Sequence, residues 1–225
     1  MRIRSVLTSV AAASALLIGV AANATPVFQV TVWNAQTPNS NIGSNNQQAL
    51  PTNPIIGAGN EIATFTYTGL PNWYVGSQSG NTLGNFIGSG SGVISNFQCL
   101  VSGCGSTVLS TGGFSSVTLF DLSFNANHWV TGTIWHDDGV SLYDNGGSSP
   151  ADQIMNSAYP TVSIPTNFST VGTHGPYNLW YLEANGAPSR LTVNATDYVP
   201  EPGTMLLFAT GLLGLGLAVT RRRRA

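Results

Sequence analysis

Short runs rich in valine, isoleucine, threonine and aromatic residues alternate with clusters of glycine, asparagine, serine and proline along most of the chain. No window there repeats its apolar residues at helical spacing, and runs of this composition between turn-forming residues are typical of strands. The pattern therefore predicts an all-β fold, either a sandwich or a flattened barrel. The predicted strands cover residues 27–33, 61–68, 93–98, 116–124, 129–136, 139–143, 177–184 and 190–196.

Three stretches between these strands lack a regular pattern. Residues 34–60 combine prolines with many asparagines and glutamines, and residues 76–92 are mostly glycine, serine and asparagine. Both are predicted to be long surface loops. Residues 144–176 form a third irregular stretch, in which a short helix near residues 151–157 is the one helical alternative.

The N-terminus has the pattern of an export signal. Arg2 and Arg4 precede a small and apolar stretch over residues 6–22, and Ala22-Asn23-Ala24 resembles a cleavage site. We expect residues 1–24 to be a signal peptide that the general secretion machinery recognises and that is then removed. A permanent N-terminal anchor is the alternative, but polar residues interrupt the apolar stretch.

The C-terminus carries a second apolar segment. Residues 205–219 hold no charge, and as a helix they reach only about 23 Å of a membrane core about 30 Å thick. The arginines that follow favour the cytoplasmic side, so the preceding chain should face outward. We predict a membrane helix at residues 204–220 that is poorly suited to permanent anchoring.

Pro200, Glu201 and Pro202, the apolar run and the terminal arginines follow one another over residues 199–225. This order resembles the PEP-CTERM sorting signal of Gram-negative bacteria that produce exopolysaccharide. The resemblance implies cleavage of the tail by an exosortase, an integral-membrane transpeptidase-like enzyme, after transient anchoring in the inner membrane. It also implies a final location at the cell surface or in the extracellular matrix. An ordinary tail anchor is the alternative. The matching residues are Pro200, Glu201, Pro202, Arg221, Arg222, Arg223 and Arg224.

Without its two terminal signals the chain is acidic. Arg190 is the only basic residue between residues 25 and 199, against eight carboxylates, which gives a formal charge of −7. Such a surface argues against binding of nucleic acid, because that binding depends on lysine and arginine. It is compatible with divalent cations and with neutral glycans. Residues 25–198 suffice for one sizeable core, or at most for a core with a small subdomain, and are expected to form one extracytoplasmic β-domain.

The two cysteines fit an oxidising compartment. Cys99 and Cys104 are separated by four residues, and no histidine or further cysteine nearby completes a zinc site. We predict a structural disulfide between them.

The densest polar cluster lies at residues 131–147, around Asp137-Asp138-Gly139. One interpretation is a hairpin, since Asp-Gly suits a tight turn between two strands. The other is a calcium site, since adjacent carboxylates with Asp144 and Asn145 nearby supply hard oxygen ligands. The residues alone leave both open.

Residues 115–197 also resemble the protective-antigen-type β-domain, including its lectin-like adhesin branch. The resemblance lies in two predicted strands joined by Asp-Asp-Gly and in the later segment at residues 177–186. It implies that Asp137 and Asp138, joined by a cis peptide, bind calcium, which in turn holds sugar hydroxyls. It also implies a glycan-binding asparagine on a second loop, either Asn145 or Asn185.

Catalytic patterns are weaker. The three histidines are scattered, and neither a G-x-S-x-G nor an H-E-x-x-H motif occurs. A glycosidase that pairs Asp137 or Asp138 with Glu183 is the enzymatic alternative. Among the tryptophans, Trp73 at a strand edge is the candidate for stacking on a sugar.

The sequence therefore predicts a noncatalytic secreted β-domain that associates with the cell surface or with extracellular polysaccharide. Calcium-assisted glycan binding, as in an adhesin, is its predicted activity. A secreted carbohydrate-active hydrolase and a purely structural matrix protein are the alternatives.

Overall fold

The computed structural model describes residues 25–36, 43–57, 59–126, 129–173 and 175–198. Within these ranges the chain forms eleven strands, one short α-helix and four 3-10 turns. Their order is β1 (Val27–Gln36), β2 (Glu61–Thr68), β3 (Asn72–Val75), α1 (Leu83–Gly88), β4 (Val93–Cys99), β5 (Ser116–Phe124), β6 (Trp129–Asp137), β7 (Gly139–Tyr143), β8 (Gln153–Ser157), β9 (Ile164–Ser169), β10 (Tyr177–Glu183) and β11 (Ser189–Tyr198).

The strands form two antiparallel sheets. Seven strands lie in the order β4-β2-β1-β5-β10-β7-β8, and four lie in the order β3-β11-β6-β9. One core contains side chains from both sheets, such as Phe120 and Leu122 of β5 with Ile134 of β6 and Leu191 of β11. The predicted all-β sandwich is thus confirmed, because alternate residues of each strand point into this shared layer.

Trp73 lies in the middle of that core. Its side chain is 0% exposed, and its ring lies 5.0 Å from the Tyr67 ring and 5.6 Å from the Phe86 ring, measured between centroids. The prediction that Trp73 stacks on a sugar is therefore wrong. In β3 the even positions face outward and the odd positions face the core, so strand alternation buries this residue.

A second apolar cluster covers the other face of the seven-stranded sheet. Trp33 stacks on Trp180 with ring centroids 6.0 Å apart, and Ala49 and Ile55 from the segment at residues 43–57 pack there. Part of the predicted loop 34–60 is therefore a cover for the sheet. Consequently β5 is buried on both of its faces over its first five residues.

Four short elements differ from the prediction. The segment near residues 151–157 contains β8, which pairs with β7, in place of the alternative helix. Strand β3 and strand β9 were not predicted, and α1 lies within the predicted loop 76–92. Each has only four to six residues, which is too few to show a clear alternation of apolar and polar positions.

The predicted disulfide is confirmed. Cys99 at the end of β4 is bonded to Cys104, which begins a short 3-10 turn, with Cα atoms 5.5 Å apart. Cys104 is fully buried, so the bridge attaches this edge of the sheet to the core.

The sandwich has two distinct ends. Strand β6 runs from Trp129 to Asp137, a distance of about 30 Å for nine residues. Strand β11 returns beside it, so that Tyr198 pairs with Trp129 and Arg190 pairs with Asp137. The described chain therefore leaves the sandwich at the end opposite Asp137.

Candidate functional site

The two adjacent aspartates connect the two sheets. Asp137 ends β6 in the four-stranded sheet, and Asp138 leads directly to Gly139 of β7 in the seven-stranded sheet. The peptide bond between Asp137 and Asp138 is cis. The hairpin interpretation is wrong, since β6 pairs with β9 and β11, whereas β7 pairs with β8 and β10.

Asp138 is fully buried, and its carboxylate accepts hydrogen bonds from two loops. Its Oδ2 accepts hydrogen bonds from the backbone N–H groups of Ala184 (2.7 Å) and Asn185 (2.9 Å). Its Oδ1 accepts one from the N–H of Thr161 (3.2 Å). Since a carboxylate offers about four lone-pair positions, roughly one remains on Oδ1 for a further partner.

Asp137 is 4% exposed and is held through both its backbone and its side chain. Its carbonyl oxygen accepts a hydrogen bond from the Tyr181 hydroxyl at 2.6 Å. Its carboxylate accepts one from the backbone N–H of Ser163. More of this carboxylate remains available than of the Asp138 carboxylate.

The electrostatics of the pair disfavour two negative charges. Burial, with the charge of Asp138 next to it, raises the pKa of Asp137 to about 7. Burial also raises the pKa of Asp138 to about 6, although three backbone N–H groups oppose that rise. A cation beside the pair would stabilise both ionised forms.

Within the described ranges, no lysine or arginine side chain is paired with these two carboxylates. Arg190 lies opposite Asp137 in the register of β11 and β6, but its guanidinium carbon lies 4.9 Å from the Trp135 ring centroid. Its Nε–H donates to the Thr192 hydroxyl. The described residues also contain no group of three or more His, Cys, Asp or Glu side chains arranged as a metal site.

His136 is engaged in internal hydrogen bonds. Its Nδ1 lies 2.5 Å from the Asp138 carbonyl oxygen, which can only accept, so Nδ1 carries the proton. Its Nε2 then accepts from the Thr166 hydroxyl at 2.8 Å. Burial lowers the pKa of this residue, so His136 is a neutral structural residue. His128 and His174 lie outside the described residues.

The structure separates the predicted glycan-binding residues. Asn185 is exposed, and its backbone N–H donates to Asp138, which places it beside the pair. Asn145 is also exposed, but it follows the far end of β7. Because that strand is about 17 Å long, Asn145 is remote from Asp137 and Asp138. Of the two alternatives, Asn185 is the one next to the site.

One exposed segment beside the pair was not predicted to be functional. Residues 158–163 supply the Thr161 and Ser163 N–H groups that reach Asp138 and Asp137. The same segment exposes Tyr159 (64%) and Val162 (75%). Its signal in the sequence was an aromatic residue next to Pro160 in an irregular stretch, but its contacts with the aspartates run through the backbone.

A cavity of about 940 Å³ opens at the opposite end of the sandwich. Its lining is mostly apolar and includes Phe28, Phe124, Ile134 and Phe168. No aspartate or glutamate is among its described lining residues, so this cavity is chemically distinct from the aspartate pair.

Comparison with solved structures found similar β-domains. A PA14 sugar-binding domain from an RTX adhesin has a TM-score of 0.47 and 15% identity, over 77% of this chain and 91% of that chain. The PA14 domain of an antifreeze protein has a TM-score of 0.46 and 12% identity, over 77% and 83% of the two chains. A GH31 α-xylosidase from Xanthomonas citri matches at a TM-score of 0.37 and 8% identity, over 79% of this chain but only 15% of the enzyme.

The C-terminal signal is confirmed by a family match. Residues 199–224 match the family model of the PEP-CTERM protein-sorting motif. The chain therefore carries this motif, which implies export and a destination at the cell surface or outside the cell. A search of curated proteins found no match.

The predicted signal peptide at residues 1–24 and the predicted membrane helix at residues 204–220 lie outside the described residues. Within the described ranges, no helix has the length and apolar character required to cross a membrane.

Proposed function

We propose that this protein is a calcium-assisted glycan-binding adhesin whose site is centred on Asp137 and Asp138. The observation that carries the proposal is the burial of two adjacent carboxylates to which no described basic side chain is paired. Buried charges in proteins are normally paired or bound to metal. Calcium suits this site because it accepts carboxylate, carbonyl and hydroxyl oxygens together.

The chain's own residues have separable roles in this proposal. The Asp137 carboxylate and the remaining position on Asp138 Oδ1 would hold the ion. Calcium takes six to eight oxygen ligands, so carbonyl groups, water and sugar hydroxyls would complete its shell. Asn185 and Tyr159 border the pair from two loops and are exposed to a ligand. A bound calcium ion would attract sugar hydroxyl oxygens.

The hydrolase alternative is not supported by the position of Glu183. This side chain is 0% exposed, and its two carboxyl oxygens are hydrogen-bonded to Ser110 and Tyr181. A substrate cannot contact it, whereas the paired carboxylates of a glycosidase flank the bond that is cleaved.

Replacing both aspartates by asparagine should abolish saturable calcium binding. We expect the wild-type chain to bind with a Kd on the order of 0.1–1 mM, as extracellular calcium modules do, and the Asp137→Asn, Asp138→Asn variant to release no binding heat. Wild-type affinity should weaken as the pH falls through about 7 and then about 6, because protons compete at Asp137 and Asp138. Calorimetric titration with CaCl₂ measures both effects.

The matched control removes two other aspartates. Asp121 lies in mid-sheet on β5 and Asp152 lies at the far end of β7 and β8, so the Asp121→Asn, Asp152→Asn variant loses the same charge at a distance. Its calcium affinity should equal that of the wild type. Equal loss in both variants would mean that binding is nonspecific. A wild-type chain that binds neither calcium nor glycan would favour the purely structural matrix role.

Removing the exposed ring of Tyr159 should weaken glycan binding and leave calcium binding unchanged. An aromatic ring packed on an aromatic partner contributes about 0.5–1.5 kcal/mol; with a similar contribution from a sugar face, Tyr159→Ala should weaken glycan affinity roughly two- to tenfold. Titration with neutral polysaccharides in the presence of calcium measures this effect. Phe97→Ala is the control, since Phe97 is exposed on β4, at the edge of the seven-stranded sheet opposite β7 and β8; an equal loss there would refute the role of Tyr159.

The last described residue, Tyr198, lies at the end of the sandwich opposite the site. The motif begins directly after Tyr198, at the end opposite Asp137. While an exosortase holds the tail in the inner membrane, Asp137 and Asp138 would therefore lie about 30 Å, the length of β6, from the point where the tail begins. This geometry would present the site to extracellular polysaccharide before and after processing.

Alanine at Pro200, Glu201 and Pro202 should block removal of the tail. We expect mass spectrometry of the wild-type exported protein to find a C-terminus that lacks Arg221–Arg224, and the triple variant to retain these arginines. Cells without the processing enzyme should reproduce the variant's result. Intact arginines on the exported wild-type protein would contradict exosortase processing.

A further inference from the structure

Glu183 is a buried acidic residue that the calcium site does not use directly. It ends β10, and its Oε1 accepts a hydrogen bond of 2.5 Å from the Ser110 hydroxyl. Its Oε2 lies 3.0 Å from the Tyr181 hydroxyl oxygen. Neither a lysine nor an arginine among the described residues is paired with it.

The hydrogen atoms around Tyr181 can be assigned by counting donors. The Tyr181 hydroxyl has one hydrogen, and it lies 2.6 Å from the carbonyl oxygen of Asp137, which only accepts. That hydrogen therefore goes to Asp137. The Ser189 hydroxyl also hydrogen-bonds to Glu183, although its one hydrogen goes to Asn81 Oδ1 at 2.6 Å. An ionised Glu183 would therefore lack a hydrogen in its contacts with both Tyr181 and Ser189, whereas a neutral carboxylic acid supplies one, to Tyr181. Burial, with the charge of Asp138, raises the pKa of Glu183 well above its usual value, which agrees with this count.

The other carboxyl oxygen of Glu183, Oε1, is connected through Ser110 to the loop at residues 184–186. The Ser110 hydroxyl donates to Glu183 and accepts from the backbone N–H of Gly186 at 2.9 Å. Gly186 follows Ala184 and Asn185, whose N–H groups bind the Asp138 carboxylate. One neutral acid thus connects the loop that holds Asp138 to the carbonyl group of Asp137.

We infer that Glu183 is a positioning residue for the calcium site, which acts as a neutral hydrogen-bond donor through Tyr181 and as an acceptor through Ser110. This inference rests on the proposed function of Asp137 and Asp138. An ionised Glu183 would draw the Tyr181 hydrogen to itself and release the Asp137 carbonyl. It would also add a third buried negative charge beside the pair.

Three variants of the full chain test this role by calorimetric titration with CaCl₂. Glu183→Gln keeps a donor and an acceptor in the same places, so its Kd should stay within about twofold of the wild type. Glu183→Leu has similar bulk but neither group, and Tyr181→Phe keeps the ring that stacks on Phe86. Both should weaken calcium binding at least tenfold. Thermal unfolding without calcium, measured in parallel, separates positioning from loss of fold.

The outcomes are distinguishable. Wild-type affinity in both Tyr181→Phe and Glu183→Leu would overturn the inference and leave the proposed function intact. Weak binding by Glu183→Gln, equal to that of Glu183→Leu, would overturn the assignment of a neutral donor. A wild-type chain that binds no calcium would overturn the proposed function and this inference with it. If Glu183→Leu does not fold, Tyr181→Phe decides the result.

Discussion

Replacing Gly139 by alanine is expected to destabilise the protein by about 3 kcal/mol and to abolish its calcium binding. A Cβ atom at this position would lie 2.1 Å from the carbonyl oxygen of Ala158 and 2.7 Å from its carbonyl carbon. These are backbone atoms, so no side-chain rotation relieves the clash. The segment at residues 158–163 would have to move, and the Thr161 and Ser163 N–H groups that hold the aspartates would move with it.

Urea unfolding and titration with CaCl₂ together measure this effect. Gly112→Ala is the matched control, because a Cβ there meets no atom within 4 Å and its φ is not positive. We expect that control to change the free energy of unfolding by less than about 0.5 kcal/mol. A Gly139→Ala variant with wild-type stability and affinity would show that the segment is not held against β7 as described.

Replacing Trp73 by alanine is expected to cost about 3–5 kcal/mol of stability, the usual range for removing a buried aromatic side chain. Trp73 contacts the rings of Tyr67, Phe86 and Phe120 between the two sheets, so its loss leaves a large cavity. Urea unfolding of the variant measures the cost, and Trp73→Phe should recover part of it.

The comparison with Tyr159→Ala separates core from surface. That variant should lose less than about 0.5 kcal/mol of stability, since Tyr159 is mostly exposed. Trp73→Ala molecules that remain folded should keep their glycan affinity. If Trp73→Ala instead weakened glycan binding without loss of stability, the Trp73 ring of the wild-type protein would have to be accessible to the ligand.

Most of the strands were predictable from local composition. The eight predicted strands correspond to β1, β2, β4, β5, β6, β7, β10 and β11, with ends shifted by a few residues. Long runs of β-branched and aromatic residues between turn residues mark them clearly. Strands β3, β8 and β9 and helix α1 were missed because they are too short to show a regular repeat of apolar positions. Their structure depends on contacts with neighbouring elements.

The candidate site was predictable in its residues but not in its arrangement. The sequence singles out the adjacent aspartates as a candidate cation site, and the resemblance to a lectin-like adhesin domain implies the same pair; cation binding there stays a prediction. Their local pattern equally fitted a hairpin turn, because sequence spacing does not show that β6 and β7 belong to different sheets. The partners of Asp138 come from residues 161, 184 and 185, which are distant in the sequence.

The sequence alone determined features that depend on local chemistry. These are the all-β class, the acidic exported body, the sorting motif at residues 199–224 and the disulfide. Composition, charge order and short spacings are sufficient for such features, since each is contained in one segment.

Only the tertiary structure decided which side chains meet. It buried Trp73 in the core. It placed Asn185 beside Asp138 and Asn145 at the far end of β7. It also connected Glu183 through the Tyr181 hydroxyl to the Asp137 carbonyl. It also placed Asp137 and Tyr198, the residue before the sorting motif, at opposite ends of the sandwich. These relations depend on strand pairing between distant segments, which is fixed by the packing of the whole sandwich and not by any one run of residues.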